Sequence, residues 1–488
     1  MDTEKNEQYK NKYGILITVL LLAFMTALDG SIVNVALPSM AKNLSVNTQS
    51  ISWVFSAYLI GICTLILAFG KLGDLKGKMR VFKIGILIFT LGSLMCGIST
   101  TLPFLIISRI VQAVGAAAAM ATSQGIITEA VPRNEIGKAF GLFGTFIALG
   151  TMIGAPLGGF IISISNWNYI FLINIPIGVI TFIFCLKYLP KEHIKAGKFP
   201  DVKGFLLFVI TIVTFFIAII QGGALGYGNS FIIICFIISV ITFVLFVYVE
   251  KKTDEPMLDL DIFKSKLFSI SIFCAFLSFV AIFCLLIVNP FYLHYTMEYT
   301  PAFTGLLMMF YSVVLTITAL FSGILSDKVS SEFLIILGLV VMAIGFFLMT
   351  LLNASTPVPM FLALTAIIGF GAGLFQSPNN SLVMSSVSKD KLGIAGSVNA
   401  LVRNIGMTVG ISVATILLYN RMSYKAGYKV LTYIVENDNI FLYGMRYVYI
   451  AAGIICIIGA GITFIRFYNS KIKYSTNASQ LNILYNYI

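Results

Sequence analysis

Few side chains in this sequence can do chemistry, and Asp29 is distinguished by its surroundings. It is the one acid placed deep within a long apolar segment. Moving a carboxylate from water into hydrocarbon is costly, and desolvation favours the protonated form. A carboxyl group so placed can take up a proton on one side of a membrane and release it on the other. Equally, it can be a structural acid, permanently paired or capping a backbone break near Gly30 and Pro38. Arg109 and Arg403 also lie inside apolar segments. At 1.5 Å of rise per residue, Arg109 lies about 9 Å into its segment from one face, and Asp29 about 22 Å into its own from the other. Across a core of about 30 Å those depths nearly coincide. A guanidinium there would hold Asp29 charged, and protonation would release the pair. The competing role for Arg109 is structural, bonded to a carbonyl or a helix end.

A second polar group lies later in the chain. Arg403 is close to Asn399 and Asn404, while Gln376, Asn379 and Asn380 flank Pro378. At such depth polar groups face a cavity or a neighbouring helix, so solute contact and interhelical hydrogen bonding are both open. Asn34 and Gln112 join Gln376, Asn379, Asn380, Asn399 and Arg403 as candidate cavity residues. Glu129 lies beside the basic loop Lys76–Arg80, and a peripheral ion pair is expected there. Asp74 and Asp327 each begin a loop, where a carboxylate can sit against a helix N-terminus or remain solvated.

Other chemistries are poorly provided for. Only His193 and His294 are present, and the seven cysteines lie singly in apolar runs, so no metal or catalytic cluster is expected. Gly369–Gly373 lies inside an apolar run, and Gly73–Met79 lacks the spacing and hydroxyl of a phosphate loop. No cofactor, nucleic acid or enzymatic role is expected. Any uphill work must draw on an ion gradient or on the solute itself.

The elements that hold these residues follow from composition. Of 488 residues, 58% are hydrophobic and 11% charged, with mean hydropathy +0.96. A soluble domain carries about 25% charged residues, so most of this chain must use lipid as its solvent. Runs of about 20 apolar residues then read as spanning helices. Fourteen are expected: 14–40, 50–69, 81–99, 103–130, 137–163, 167–189, 204–222, 229–249, 267–290, 302–325, 333–352, 358–386, 393–419 and 443–468. The first follows a polar start and is too long for a cleavable signal core. Counted by loop, 25 of the 32 Lys and Arg residues fall on one side, five on the other and two within spans. Cytoplasmic loops are rich in Lys and Arg, which places both termini in the cytoplasm.

The halves of the sequence echo each other. At an offset of 253, Gly70, Leu72, Asp74, Gly85 and Gly92 meet Gly323, Leu325, Asp327, Gly338 and Gly345. At 256, Gly115, Val131, Gly137, Ala139, Gly150 and Gly154 meet Gly371, Val387, Gly393, Ala395, Gly406 and Gly410. Two six-helix bundles (14–190 and 267–470) are expected, joined by a cytoplasmic linker with two inserted spanning helices (191–250) and a loop (251–266). Cytoplasmic segments 1–13 and 471–488 flank them. Such repeats suit a body that rocks about a midplane site.

Several stretches resemble the major facilitator superfamily, specifically the fourteen-helix drug–proton antiporter branch of the EmrB/QacA type. Leu28–Pro38 looks like that branch's LDxTIVNVALP signature, and Gly70–Arg80 resembles the superfamily's GxLaDrxGrk loop. Arg109–Gly115 is similar to RxxQGxG, Gly150–Gly159 to the span-5 antiporter motif, and Trp167–Gly178 to WRWxFxINxPIG. Pro156 falls one place late for GPxxGG, and Leu75 and Asn168 stand where arginines are usual. The resemblance implies the all-α major facilitator fold and proton transfer through Arg109 with Asp29. It also implies a gating loop at Gly70, Asp74, Gly77 and Arg80, with Asp327 as the repeat counterpart, and an antiporter motif at Gly150, Gly154, Pro156, Gly158 and Gly159. The activity expected is proton-coupled export of lipophilic or cationic compounds by a monomer in the cell membrane. Exchange of a specific ion or metabolite (a monovalent cation, an amino acid, a tetracycline–metal complex) is the alternative, and a sensor without transport a more distant one. Asp29's repeat counterpart falls near Ile282, so a dication would meet one deep carboxylate only.

Overall fold

In lipid every backbone N–H and C=O must be satisfied within the segment, so long apolar runs become helices. The computed structural model describes residues 11–485 apart from 47, 52, 133–134, 191–200, 255, 327, 429 and 431–437. At positions 34, 38, 48–49, 155, 223–224, 301–302, 389 and 470–485 the description covers the backbone alone. Among the described residues fourteen helices are long and apolar enough to cross a membrane, one for each expected run. They are α1 (Lys12–Asn43), α2 (Trp53–Lys76), α3 (Lys78–Gly97), α4 (Leu102–Ala130), α5 (Ile136–Ile164) and α6 (Tyr169–Tyr188). Then come α7 (Val202–Leu225), α8 (Ser230–Glu250), α9 (Lys266–Phe291) and α10 (Pro301–Ser326). The last four are α11 (Ser331–Met349), α12 (Val358–Ser385), α13 (Leu392–Ala426) and α14 (Asp438–Tyr485).

Two local features differ from expectation. α1 continues unbroken through Gly30, so Asp29 caps no backbone gap. The break falls instead in α6, where Tyr169–Leu172 ends and a second segment, Asn174–Tyr188, begins.

Helices α1–α6 pack together, as do α9–α14. Glycines set several approaches: a Cβ at Gly115 would lie 2.2 Å from the Phe89 backbone, and one at Gly371 would lie 2.7 Å from the Gly338 carbonyl. These two sites are repeat counterparts, α3 on α4 and α11 on α12. The bundles meet where α5 lies against α10 and α12, and where α13 lies against α2 and α4. Inserted helices α7 and α8 form a hairpin, and α7 touches both α2 and α13. α8 turns Ile233, Ile234, Val240, Ile241 and Val244 outward, as a lipid-facing helix should.

The loop joining α2 to α3, with Lys71, Lys76, Lys78 and Arg80, marks what we call the basic end. Among the described glycines, Gly70, Gly125, Gly141, Gly144, Gly323, Gly393 and Gly396 would meet the other bundle if given a Cβ. All seven lie in the half nearer that end.

Candidate functional site

Asp29 and Arg109 form an ion pair, Oδ2 to Nη1 at 2.7 Å, with both side chains fully buried inside the first bundle. Asp29 Oδ1 accepts from Gln112 Nε2 at 3.0 Å and from Asn174 Nδ2 at 2.9 Å. All three partners donate, so the contacts are those an ionised carboxylate needs. Arg109 also donates from Nε to the Val54 carbonyl at 3.2 Å and from Nη1 to Gln112 Oε1. Its guanidinium carbon lies 4.0 Å from the centre of the Tyr58 ring and 5.5 Å from that of Phe171. Nη2 has no hydrogen-bond partner among the described residues. Gln112 Nε2 donates further to Ser93 Oγ at 2.8 Å. The cluster thus ties α1, α2, α3, α4 and α6 around two opposite charges in a dry interior.

The local sequence explains how Asp29 is aimed. On α5, Gly150, Gly154 and Gly158 recur at i, i+4 and form one smooth face. A Cβ at Gly150 would lie 2.4 Å from the Phe24 carbonyl, and one at Gly154 2.6 Å from Ser31 Cβ. α1 therefore seats directly on α5, where Ser31 Oγ donates to the Thr151 carbonyl at 2.8 Å. This turns Asp29 toward α4 and α6. The stripe is a seam within one bundle, and Gly159, whose Cβ would meet nothing within 4 Å, lies off it. Pro156 sits inside α5, where it removes one backbone donor.

A second site closes the basic end. Asp74 accepts from the backbone N–H groups of Gly393 (2.9 Å) and Ile394 (3.0 Å), in the first turn of α13. Those groups have no partner within their helix, and the helix dipole favours an anion there. Lys78 Nζ bridges Asp74 (3.0 Å) and Glu129 (2.9 Å). Gly70 makes the approach workable, since its Cβ would lie 2.0 Å from Ser397 Oγ. Gly77 turns the chain between α2 and α3 at φ +97°, where an L side chain would be strained. Arg80 is exposed.

Further inward, Asn399 Nδ2 donates to Gln124 Oε1 (3.0 Å) across the bundles and to Asn380 Oδ1 (2.8 Å) on α12. Thr145 Oγ1 donates to the Thr316 carbonyl at 3.4 Å, and Ser377 Oγ to that of Gly137 at 3.1 Å. All these bonds between bundles belong to the half nearer the basic end. Asn404 donates back to Ala400 within its own helix. Asn379 is buried, and its Oδ1 has no partner among the described residues. Gln376 Oε1 lies 3.9 Å from where a Cβ of Gly144 would be.

The expected cavity set therefore divides. Gln112 belongs to the Asp29 cluster, where both ends of its amide are engaged, and lines no cavity in this state. Asn380 and Asn399 are joined, while Gln376 and Arg403 extend beyond them. The side chain of Asn34, and Asp327 altogether, lie outside the described residues. Sequence reasoning passed over Asn174, Tyr58 and Ser93 as members of these sites, whereas the ion pair expected between Glu129 and the loop Lys76–Arg80 is made by Lys78. Asn174 was legible as a polar residue inside an apolar run. Tyr58 and Ser93 were not, because tyrosine and serine occur at many uninformative positions in the spans.

A body of two bundles of spanning helices, with a deep ion pair and with contacts that join the bundles at one end, has the architecture of a membrane transporter, and the comparisons agree. The sequence matches the model of the Major Facilitator Superfamily over residues 19–411 and again over 271–481. It is 34% identical to the riboflavin transporter RibZ of Clostridioides difficile, covering 93% of this chain and 97% of that one. It is 31% identical to the multidrug transporter protein MdtP of Bacillus subtilis, covering 83% and 75%. With the multidrug resistance protein Stp of Mycobacterium tuberculosis it shares 29% identity, over 82% and 74%. The human organic anion transporter MFSD10 has the same fold, with TM-score 0.65, 11% identity and coverage of 93% and 99%. The proton:xylose symporter XylE does too, with TM-score 0.64, 14% identity and coverage of 93% and 95%. The chain belongs to the major facilitator superfamily, and its relatives accord with the fourteen-helix drug–proton antiporter branch.

Proposed function

We propose that this transporter couples proton movement to export of a small organic solute, with Asp29 and Arg109 as the proton-responsive pair. One observation carries the proposal: two opposite charges, fully buried, hold α1 against α4 and α6. Protonating Asp29 would cancel one charge and leave Arg109 uncompensated in a low-dielectric interior, which forces rearrangement. α1 is seated on α5, and α5 meets α10 of the other bundle at Gly141 and Gly144. A shift of α1 therefore has a rigid path to the seam between bundles.

In this proposal the basic end is cytoplasmic, following the Lys and Arg bias, and the structure is the state closed to the cytoplasm. Residues 14–190 and 267–470 are the moving bodies, and the protein works as a monomer in the cell membrane. The named relatives leave two solute classes: drugs, as for MdtP and Stp, or a defined metabolite, as for RibZ. The test is uptake into proteoliposomes under an imposed pH gradient, for wild type and Asp29→Asn. Gradient-driven flux that is lost in the variant is the expected result. Undiminished coupled flux in Asp29→Asn would overturn the assignment.

A further inference from the structure

We infer that the solute presents an anionic or carbonyl-rich edge to Arg403, and that this site disfavours organic cations. This rests on the transport reading above and narrows its substrate. The second bundle has no acid deep in its spans, and the only deep carboxylate in the chain, Asp29, is spent on Arg109. Arg403 lies near the middle of α13, half-buried, and takes part in no hydrogen bond or ion pair among the described residues. No carboxylate acts on it. A guanidinium offers five donors, and leaving it without a partner away from bulk water is costly unless something else supplies acceptors.

Its position says what that could be. Arg403 follows Asn399 by one turn on the same face of α13, about 6 Å farther from the basic end. Asn399 bonds to Gln124 and Asn380, so this cross-bundle link is a floor and Arg403 stands just above it. On α12, Gln376 is likewise one turn above Asn380, and it too makes no hydrogen bond among the described residues. Three residues farther along α13, Gly406 packs on α9, where a Cβ would lie 3.0 Å from the Phe276 carbonyl and from Phe279 Cβ, so two half-buried phenylalanines lie within a turn of Arg403. Planar donors and a free amide, with phenylalanines close by, suit a flat aromatic solute with paired oxygen acceptors, either a carboxylate or an imide. An organic cation would meet an uncompensated like charge instead.

The test is equilibrium binding to purified protein in detergent at neutral pH, without any gradient, so that coupling can fail while this inference stands, or the reverse. Three probes are used: fluorescein, carrying a carboxylate, riboflavin, carrying a neutral imide, and ethidium, a cation. Wild type should bind fluorescein or riboflavin more tightly than ethidium, and which of the two is preferred separates carboxylate from imide. Arg403→Gln should weaken the preferred probe by about tenfold or more, the scale of a lost charged hydrogen bond. Arg403→Lys, which keeps the charge without the fork, should fall between and also reports whether the site tolerates substitution. Tighter binding of ethidium by wild type, affinities unmoved by Arg403→Gln, or binding of none of the three would each overturn the inference.

Discussion

Removing the charge of Asp29 should destabilise the protein more than removing both charges of its ion pair. In Asp29→Asn, Arg109 stays fully buried but keeps only neutral partners: the amide at position 29, the Val54 carbonyl, the Gln112 amide oxygen and the rings of Tyr58 and Phe171. Breaking a buried pair by removing one partner costs about 3–5 kcal/mol, whereas removing both can be nearly neutral. The stacked Tyr58 offsets part of this, up to about 2 kcal/mol for a desolvated cation–π contact, so a net loss of about 3 kcal/mol is expected. At the usual unfolding entropy per residue, that lowers the midpoint of a bundle this size by roughly 5–10 °C. Adding Arg109→Gln to Asp29→Asn should recover most of the loss. The assay is thermal unfolding in detergent followed by tryptophan fluorescence, for which Trp167, packed on Phe171 near the cluster, is a local reporter. If the double variant melts no higher than Asp29→Asn, the pair is not the electrostatic unit described above.

Three other outcomes are expected. Gly154→Val should separate α1 from α5 and cost about 1–3 kcal/mol of stability along with most transport, whereas Gly159→Val, with open space at its Cβ, should be tolerated; thermal midpoints and flux measure both. Asp74→Asn should weaken the hold on α13 by about 1–2 kcal/mol and shift the population toward opening at the basic end by roughly tenfold, read from spin-label distances across that end. Between α8 and α9, Asp259 pairs with Lys391. Burial pushes the Asp259 carboxyl up, but hydrogen bonds from Lys391 and the Asp261 N–H, with the charges of Lys391 and Lys71, outweigh it and hold the carboxyl below its usual 3.8. The Lys391 ammonium is held above its usual 10.5, first by its hydrogen bond to Asp259. A lowered acid adds stability above its unfolded value and loses it as pH falls through the folded one, while a raised base adds stability that fades only above about pH 10.5. The link should therefore hold across the whole neutral range, contributing under about 1 kcal/mol because it is partly exposed. The titration midpoint of the Asp259 carboxyl carbon by NMR should rise in Lys391→Gln.

The fold was readable because lipid leaves a chain few choices. Each long apolar run became one helix, and the depth arithmetic that put Asp29 level with Arg109 needed only the rise of a helix. The Asp74 contact was also foreseeable, since a carboxylate opposite a helix start has a natural ligand in its free N–H groups. What the sequence withheld was sidedness around each helix. Nothing in the run Arg109–Gly115 says that Gln112 turns inward to Asp29 rather than toward a cavity. Nor does the Gly150–Gly159 motif say that its smooth face meets α1 instead of the other bundle. Those choices depend on which helices are neighbours, and on where α6 breaks to offer Asn174. The repeat pointed at the arrangement of bundles, but its counterpart of Asp29 is the apolar Ile282, so the asymmetry of charge between the halves was visible from the start.

The hairpin of α7 and α8 alters how a greasy molecule could reach the interior. α7 lies along the crevice between α2 and α13, and past its far end Tyr227 donates its hydroxyl back to the Ile219 carbonyl of α7. Seen from the bilayer, one of the two flanks where the halves abut is boarded over. A compound dissolved among the acyl chains finds no sideways door there, and it must come through the opposite flank or from water.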